Sequence, residues 1–283
     1  MNDAPIDLVA VGEDVEWTDA GCAAQVRPLA TTVGGRLGEL IEWLAATQGQ
    51  LPVSAPKRAR CVVLGPISEP VTVLADELGV QVRELAVADT ESPESAFALG
   101  IAAADDEIDS GADLLIVADP DDSVASALIV AVLTGAEPVA LLPRGAAATD
   151  TDAWIAAATA LRDGRRRLAD LRTDPSALLV ALGHPRLAAT VALIMRAVAR
   201  RTGLVLDGAA AVAAALLCHD VQARTGRWWQ IADAGTDPAQ HRAAIELGRR
   251  PLLDLGVAHG DGTAGLLTVP VLRAAAALAE GAA

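Results

Sequence analysis

Tyrosine is absent from this 283-residue chain, phenylalanine occurs once, at Phe97, and aromatic side chains make up only 2% of it. A core with few large rings has to be filled mostly by Ala, Leu and Val, which suits helices packed closely on a parallel sheet. Lysine is nearly missing too: Lys57 is the single one, and arginine supplies the rest of the basic charge. With 22 basic against 37 acidic side chains the net charge is −15, which argues against a nucleic-acid partner, because neutralising phosphates takes clustered Lys and Arg. The one basic run, Arg165-Arg166-Arg167, stands beside acids and reads as a solvated helix face. Cys22, Cys61 and Cys218 are few, odd in number and far apart, so no disulfide framework is expected and a reducing, cytoplasmic setting is. Uncharged runs fall short of the roughly 20 residues a bilayer span needs, and the acidic start lacks the order of a signal peptide. No membrane partner is expected.

What the chain has in abundance is apolar residues, 52% of it, arranged in short runs between helical periods. Cys61–Gly65, Gln81–Val87, Asp113–Ala118, Pro138–Leu142, Leu204–Leu206 and Arg227–Ile231 read as strands. Helices are expected over 35–48, 70–79, 93–110, 123–134, 150–171, 185–201, 209–222 and 263–278, with Asp207 at the N-cap of the seventh. Strands and helices alternating in this way imply an α/β fold: a three-layer, Rossmann-like parallel sheet with helices on both faces. Residues 1–27 carry no period and are expected to form a loose arm. The organisation expected is an N-terminal arm and helix over 1–56, an α/β domain over 57–250 and a C-terminal helical segment over 251–283 that closes the site. The 1–56 and 251–283 segments would form a small helical part. Of Trp228 and Trp229, one is expected in the core and the other at an interface.

In open α/β sheets ligands bind beyond the carboxyl ends of the strands. The turns to search are therefore Gly65–Ser68, Asp119–Ser123, Pro143–Ala146 and Asp207-Gly208, with Gly260–Gly265 opening the last helix. The last of these spells GxGxxG, but only 18 residues follow it, too few for the βαβ unit that a dinucleotide site requires. Asp119, Asp121 and Ser123 fall short of a calcium loop, and His184, His219, His241 and His259 have no zinc spacing. Neither a metal nor a cofactor is expected.

Four segments in order carry a family resemblance. Gly35–Gln48 resembles L-G-x-L-E-x-L-x-x-W-L-x-x-x-Q, Asp113–Ser126 resembles D-L-L-x-x-G-E-M-G-I-G-N-T-T, Val205–Leu217 resembles V-L-D-G-x-x-x-x-A-A-A-L-L, and Pro251–Gly265 resembles P-L-L-D-L-x-x-x-x-G-E-G-T-G-A. Together they resemble the nicotinate-nucleotide:dimethylbenzimidazole phosphoribosyltransferases, whose members move phosphoribose from nicotinate mononucleotide to a benzimidazole base and release nicotinate during assembly of cobalamin's lower ligand. The resemblance implies a homodimer whose partners are a nucleotide and an aromatic base. It implies Asp261, in the place of the family's catalytic Glu, as the base that takes the imidazole proton. As substrate-binding residues it implies Asp119, Ser123, Ser126, Arg144, Gly145, Asp207, Gly208, Gly260, Gly262 and Thr263.

The residues also depart from the family. Asp261 is one methylene shorter than Glu, and misplacement by about 1 Å can cost 10²-fold in rate. The family's glycine-rich stretch after the third strand becomes Ala118-Asp119-Pro120-Asp121-Asp122-Ser123, which replaces N–H donors with a proline and three acids where a phosphate would approach. Asp261 alternatively serves only as a helix cap. Two functions follow: a phosphoribosyltransferase, or a non-catalytic member that regulates or pairs with an active paralogue.

Overall fold

The computed structural model describes residues 4–120, 124–144, 150–257 and 259–280. Five strands, β1 (Ala59–Val63), β2 (Gln81–Glu84), β3 (Leu114–Ala118), β4 (Leu204–Asp207) and β5 (Trp229–Ile231), form one sheet in the order β2-β1-β3-β4-β5. Every pairing is parallel. Cys61, Val63, Ile116, Ala118 and Val205 enter one apolar layer, while Val62, Leu115, Val117 and Leu206 enter the other. Strands covered on both faces need apolar residues at every position, which is why β3 is so plain in the sequence.

The first layer is closed by α2 (Ala20–Val33), α3 (Gly35–Gln48), α4 (Glu69–Leu78) and α12 (Thr263–Glu280). The second is closed by α1 (Leu8–Glu13), α5 (Pro93–Asp109), α6 (Val124–Thr134), α9 (Pro185–Ala199) and α10 (Ala209–Val221). Around these pack α7 (Thr151–Leu168), α8 (Pro175–Leu182) and α11 (Pro238–Glu246). Small side chains replace rings as the packing device. A Cβ on Gly100 in α5 would lie 2.2 Å from the carbonyl oxygen of Ala189 in α9, so the two helices meet backbone to backbone at near-interior density. Gly38 does the same between α3 and Ala30 of α2. Among the described residues α12 is the one helix long and apolar enough to cross a bilayer; half of it is buried, and it packs on α3 and α4.

Several expectations are corrected. The N-terminal residues form α1 and α2, each opened by an aspartate whose carboxylate accepts a backbone N–H, Asp7 from Ala10 and Asp19 from Cys22. At six residues α1 is too short to show a period and α2 carries Pro28 inside it, but the caps stand in the sequence. Residues 138–142 are not a strand: Pro138–Ala140 form a 3-10 turn outside the sheet. The helix α8 is an addition to the expected elements. Trp228 and Trp229 are both buried, the former donating its indole N–H to the Glu16 carbonyl at 2.8 Å. Asp207 ends β4, and Gly208, at φ 91°, is the N-cap of α10.

Candidate active site

The strand order reverses direction between β1 and β3, since β2 lies outside β1 and the later strands lie beyond β3. Diverging connections open a crevice at such a switch point, above the carboxyl ends of the strands. Four turns that are remote in sequence converge there. A Cβ on Gly208 would stand 2.5 Å from the Cα of Gly260 and 3.3 Å from the carbonyl oxygen of Asp119. A Cβ on Gly260 would meet that same oxygen at 3.0 Å. The turns after β3 and β4 and the one opening α12 are thus in backbone contact, which only glycine permits. Gly262, at φ 105°, seats the α12 turn over β1 and β3, with Cys61 Sγ 3.1 Å and Ala118 Cβ 3.6 Å from where its own Cβ would be.

This clamp displays Asp261, which is half-buried. Its Oδ1 accepts the Thr263 N–H, the first of α12, at 3.0 Å, and its Oδ2 accepts the Ser68 hydroxyl at 2.7 Å. Burial raises the pKa of this carboxyl, but the bonds from Ser68 and Thr263, with His259 nearby, outweigh it and hold the group below the usual carboxylate range. Asp261 is therefore ionised at neutral pH. Beneath it Asp207 is fully enclosed, with Oδ2 accepting the Gly265 N–H at 2.8 Å. Burial, with the Asp261 and Asp233 charges adding to it, pushes its pKa up to about 6 against the Gly265 bond.

Asp119 turns inward rather than toward an approaching anion. Its Oδ2 accepts the Thr190 hydroxyl at 2.7 Å, and its Oδ1 lies 3.9 Å from the Arg186 guanidinium. One of the three negative charges expected to repel a phosphate is thus paired inside the protein; Asp121, Asp122 and Ser123 lie outside the described residues. Ser126 is buried on α6, away from solvent. Arg144 is exposed and bound to its own turn, donating from Nε and Nη2 to the Val139 carbonyl at 3.2 and 2.9 Å. Gly145 lies outside the described residues.

The structure adds residues that the sequence did not single out. Ser68 stands in the sequence only as part of a turn, although its position before Glu69-Pro70 is a helix N-cap pattern. Arg186 reaches the crevice from the start of α9: its Nη1 donates to the Leu64 carbonyl at 3.3 Å and lies 3.5 Å from where a Gly65 Cβ would be. Nothing local in Pro185-Arg186-Leu187 signals this, because the contact spans more than a hundred residues.

The crevice at the switch point is where an α/β sheet takes up a small molecule, and a family model described as a phosphoribosyltransferase matches residues 71–283. The nicotinate-nucleotide–dimethylbenzimidazole phosphoribosyltransferase of Mycobacterium avium is 33% identical over 321 aligned positions, which cover 92% of each chain. That of Streptomyces avermitilis is 31% identical over 303 positions, covering 87% of this chain and 81% of the relative. The chain belongs to this family. Both alignments are longer than the 283-residue chain, so the relatives carry segments that it lacks. The fold matches the crystal structure of the Thermus thermophilus enzyme with a TM-score of 0.76 at 23% identity, over 93% of this chain and 96% of that one.

Proposed function

We propose that the protein transfers phosphoribose from nicotinate mononucleotide to a benzimidazole-type base, as its relatives' names describe, with Asp261 as the proton acceptor. The observation that carries this reading is the Asp261 carboxylate, ionised and held by Ser68 and Thr263 at the mouth of the switch-point crevice. A ring nitrogen of the base attacks the ribose C1′, the bond from C1′ to nicotinate breaks, and nicotinate leaves with that electron pair. The attacking imidazole becomes cationic, and its remaining N–H then resembles that of a histidinium, acidic near pH 6.5. A carboxylate of low pKa stabilises the developing charge first and takes the proton late. Arg186 supplies the cation for the phosphate, and the α12 turn Gly260–Thr263, with Gly208 beside it, shapes the floor of the pocket. We place the protein in the cytoplasm, as a homodimer.

A second reading, a non-catalytic member that regulates or pairs with an active paralogue, rests on one feature. Pro120 carries no N–H, and Asp119 is turned inward, so the described part of the turn after β3 offers little to a phosphate. Calorimetric titration with nicotinate mononucleotide, with and without dimethylbenzimidazole, separates the two, together with an assay of nicotinate release. The transferase reading expects micromolar binding that Asp261→Ala leaves intact while lowering nicotinate release by about 10²-fold or more. No heat at millimolar ligand in any mixture, with no nicotinate release, would sink the transferase reading.

A further inference from the structure

At the opposite end of the sheet, before the start of β5, lies a cleft of about 560 Å³ that the proposed transfer does not use. Arg27, Arg36, Arg227 and Arg249 face it against Glu39 and Glu42, a local excess of positive charge in a chain whose net charge is −15. The acids are already engaged. Glu42 pairs with Arg27 at 3.3 Å, and Glu39 pairs with Arg36 and, at 3.6 Å, with Arg250. Arg227 and Arg249 have no carboxylate partner among the described ion pairs. Arg249 is more than half-buried, and burial, then the charges of Arg227 and Arg36, lower its pKa. Its guanidinium donates to the Gly226 carbonyl, which fixes it in place without neutralising it.

The cleft has an aromatic wall as well. Trp17 lines it and is 63% exposed, in a chain with only five tryptophans. Trp43 also lines it, largely buried and held by its indole N–H on the Arg227 carbonyl at 3.1 Å. It belongs to the Gly35–Gln48 segment, so that helix builds this cleft and takes no part in the Asp261 clamp.

We propose that this cleft is a second binding site, for a phosphate monoester that carries a flat ring. Two uncompensated arginines call for a dianion, and a phosphate monoester carries about −1.5 to −2 at neutral pH. Guanidinium forks match phosphate oxygens two at a time, while the exposed indole offers a face for the ring. The volume falls within the range of small-molecule sites. This inference does not rest on the transferase reading, because the two sites share no residue.

The test follows Trp17 fluorescence and calorimetry of the full chain with adenosine 5′-monophosphate, ribose 5-phosphate and adenosine as probes. The expected result is saturable binding of adenosine 5′-monophosphate, weaker binding of ribose 5-phosphate, none of adenosine, and loss of affinity with added salt. Arg227→Gln and Arg249→Gln should each weaken binding about tenfold or more. Arg227 is exposed, so that variant is expected to fold normally. Trp17→Phe should remove most of the fluorescence change, leaving that of the buried Trp43, while calorimetry still registers the ligand. Binding that is indifferent to both arginine variants places the probe elsewhere and overturns the proposal, as does no binding at millimolar probe. A change of oligomeric state in Arg227→Gln, with no change in probe affinity, would make the cleft a protein interface and also overturn it.

Discussion

The Ser68 hydroxyl donates to Oδ2 of Asp261 across 2.7 Å, joining positions 193 residues apart at the mouth of one crevice. Ser68 is at once the N-cap of α4 and the residue that aims the proposed base, so the start of a helix fixes the orientation of a carboxylate. Because this bond lowers the Asp261 pKa, Ser68→Ala should raise it and move the acid limb of the nicotinate-release profile to higher pH. A fall in kcat of about tenfold should accompany the shift, and Ser68→Thr should restore much of both. A profile that stays in place in the alanine variant would refute the positioning role.

The contact between Gly208 and Gly260 predicts a stability difference that separates conformational strain from collision. Gly208→Ala places a Cβ 2.5 Å from another backbone atom, whereas at Gly79, also at positive φ, a Cβ meets nothing within 4 Å. Gly79→Ala should cost about 1 kcal/mol from backbone conformation alone. Gly208→Ala should cost about 2–4 kcal/mol and weaken nucleotide binding, since the turns must part. Urea melts of the two variants make the comparison; equal losses would mean that the turns do not touch.

Asp207 predicts a pH dependence of stability. Its folded pKa, about 6, lies above the ordinary aspartate value of 3.8, so the native state holds this proton more tightly than the unfolded chain does. Its contribution is fully present below the unfolded value and is lost as pH rises through about 6. Asp207→Asn keeps an oxygen for the Gly265 N–H and removes the buried charge. The variant's advantage over the native chain should therefore grow from pH 4 to 6 and level off at about 3 kcal/mol. Denaturant titrations across that range decide it, and a difference that is flat with pH would be inconsistent with a buried, titrating Asp207.

Much of the architecture was legible because it is encoded locally. The apolar run at β3, the period over Gly35–Gln48 and the turn residues between them fixed most elements to within a few positions. Failures came where local signals were sparse or shared. Residues 8–33 reveal their helices only through the caps Asp7 and Asp19, and Pro138-Val139-Ala140 has strand-like composition but folds as a 3-10 turn outside the sheet. The glycine turn around Asp261 is visible in its motif, whereas nothing in the sequence marks Ser68 as the residue that aims it.

By itself, then, the sequence determined that a parallel sheet would be covered on both faces and that an acidic residue would sit in a glycine turn opening the last helix. Periodicity, capping and glycine preference act within a few residues, so they can be read from a single segment. Tertiary structure alone decided that Asp119 turns inward to Thr190 and Arg186, that Ser68 meets Asp261, and that arginines from positions 27, 36, 227 and 249 share one cleft. Those relations depend on strand order and on how helices seat against the sheet, and packing between distant segments leaves no mark in the local pattern of either.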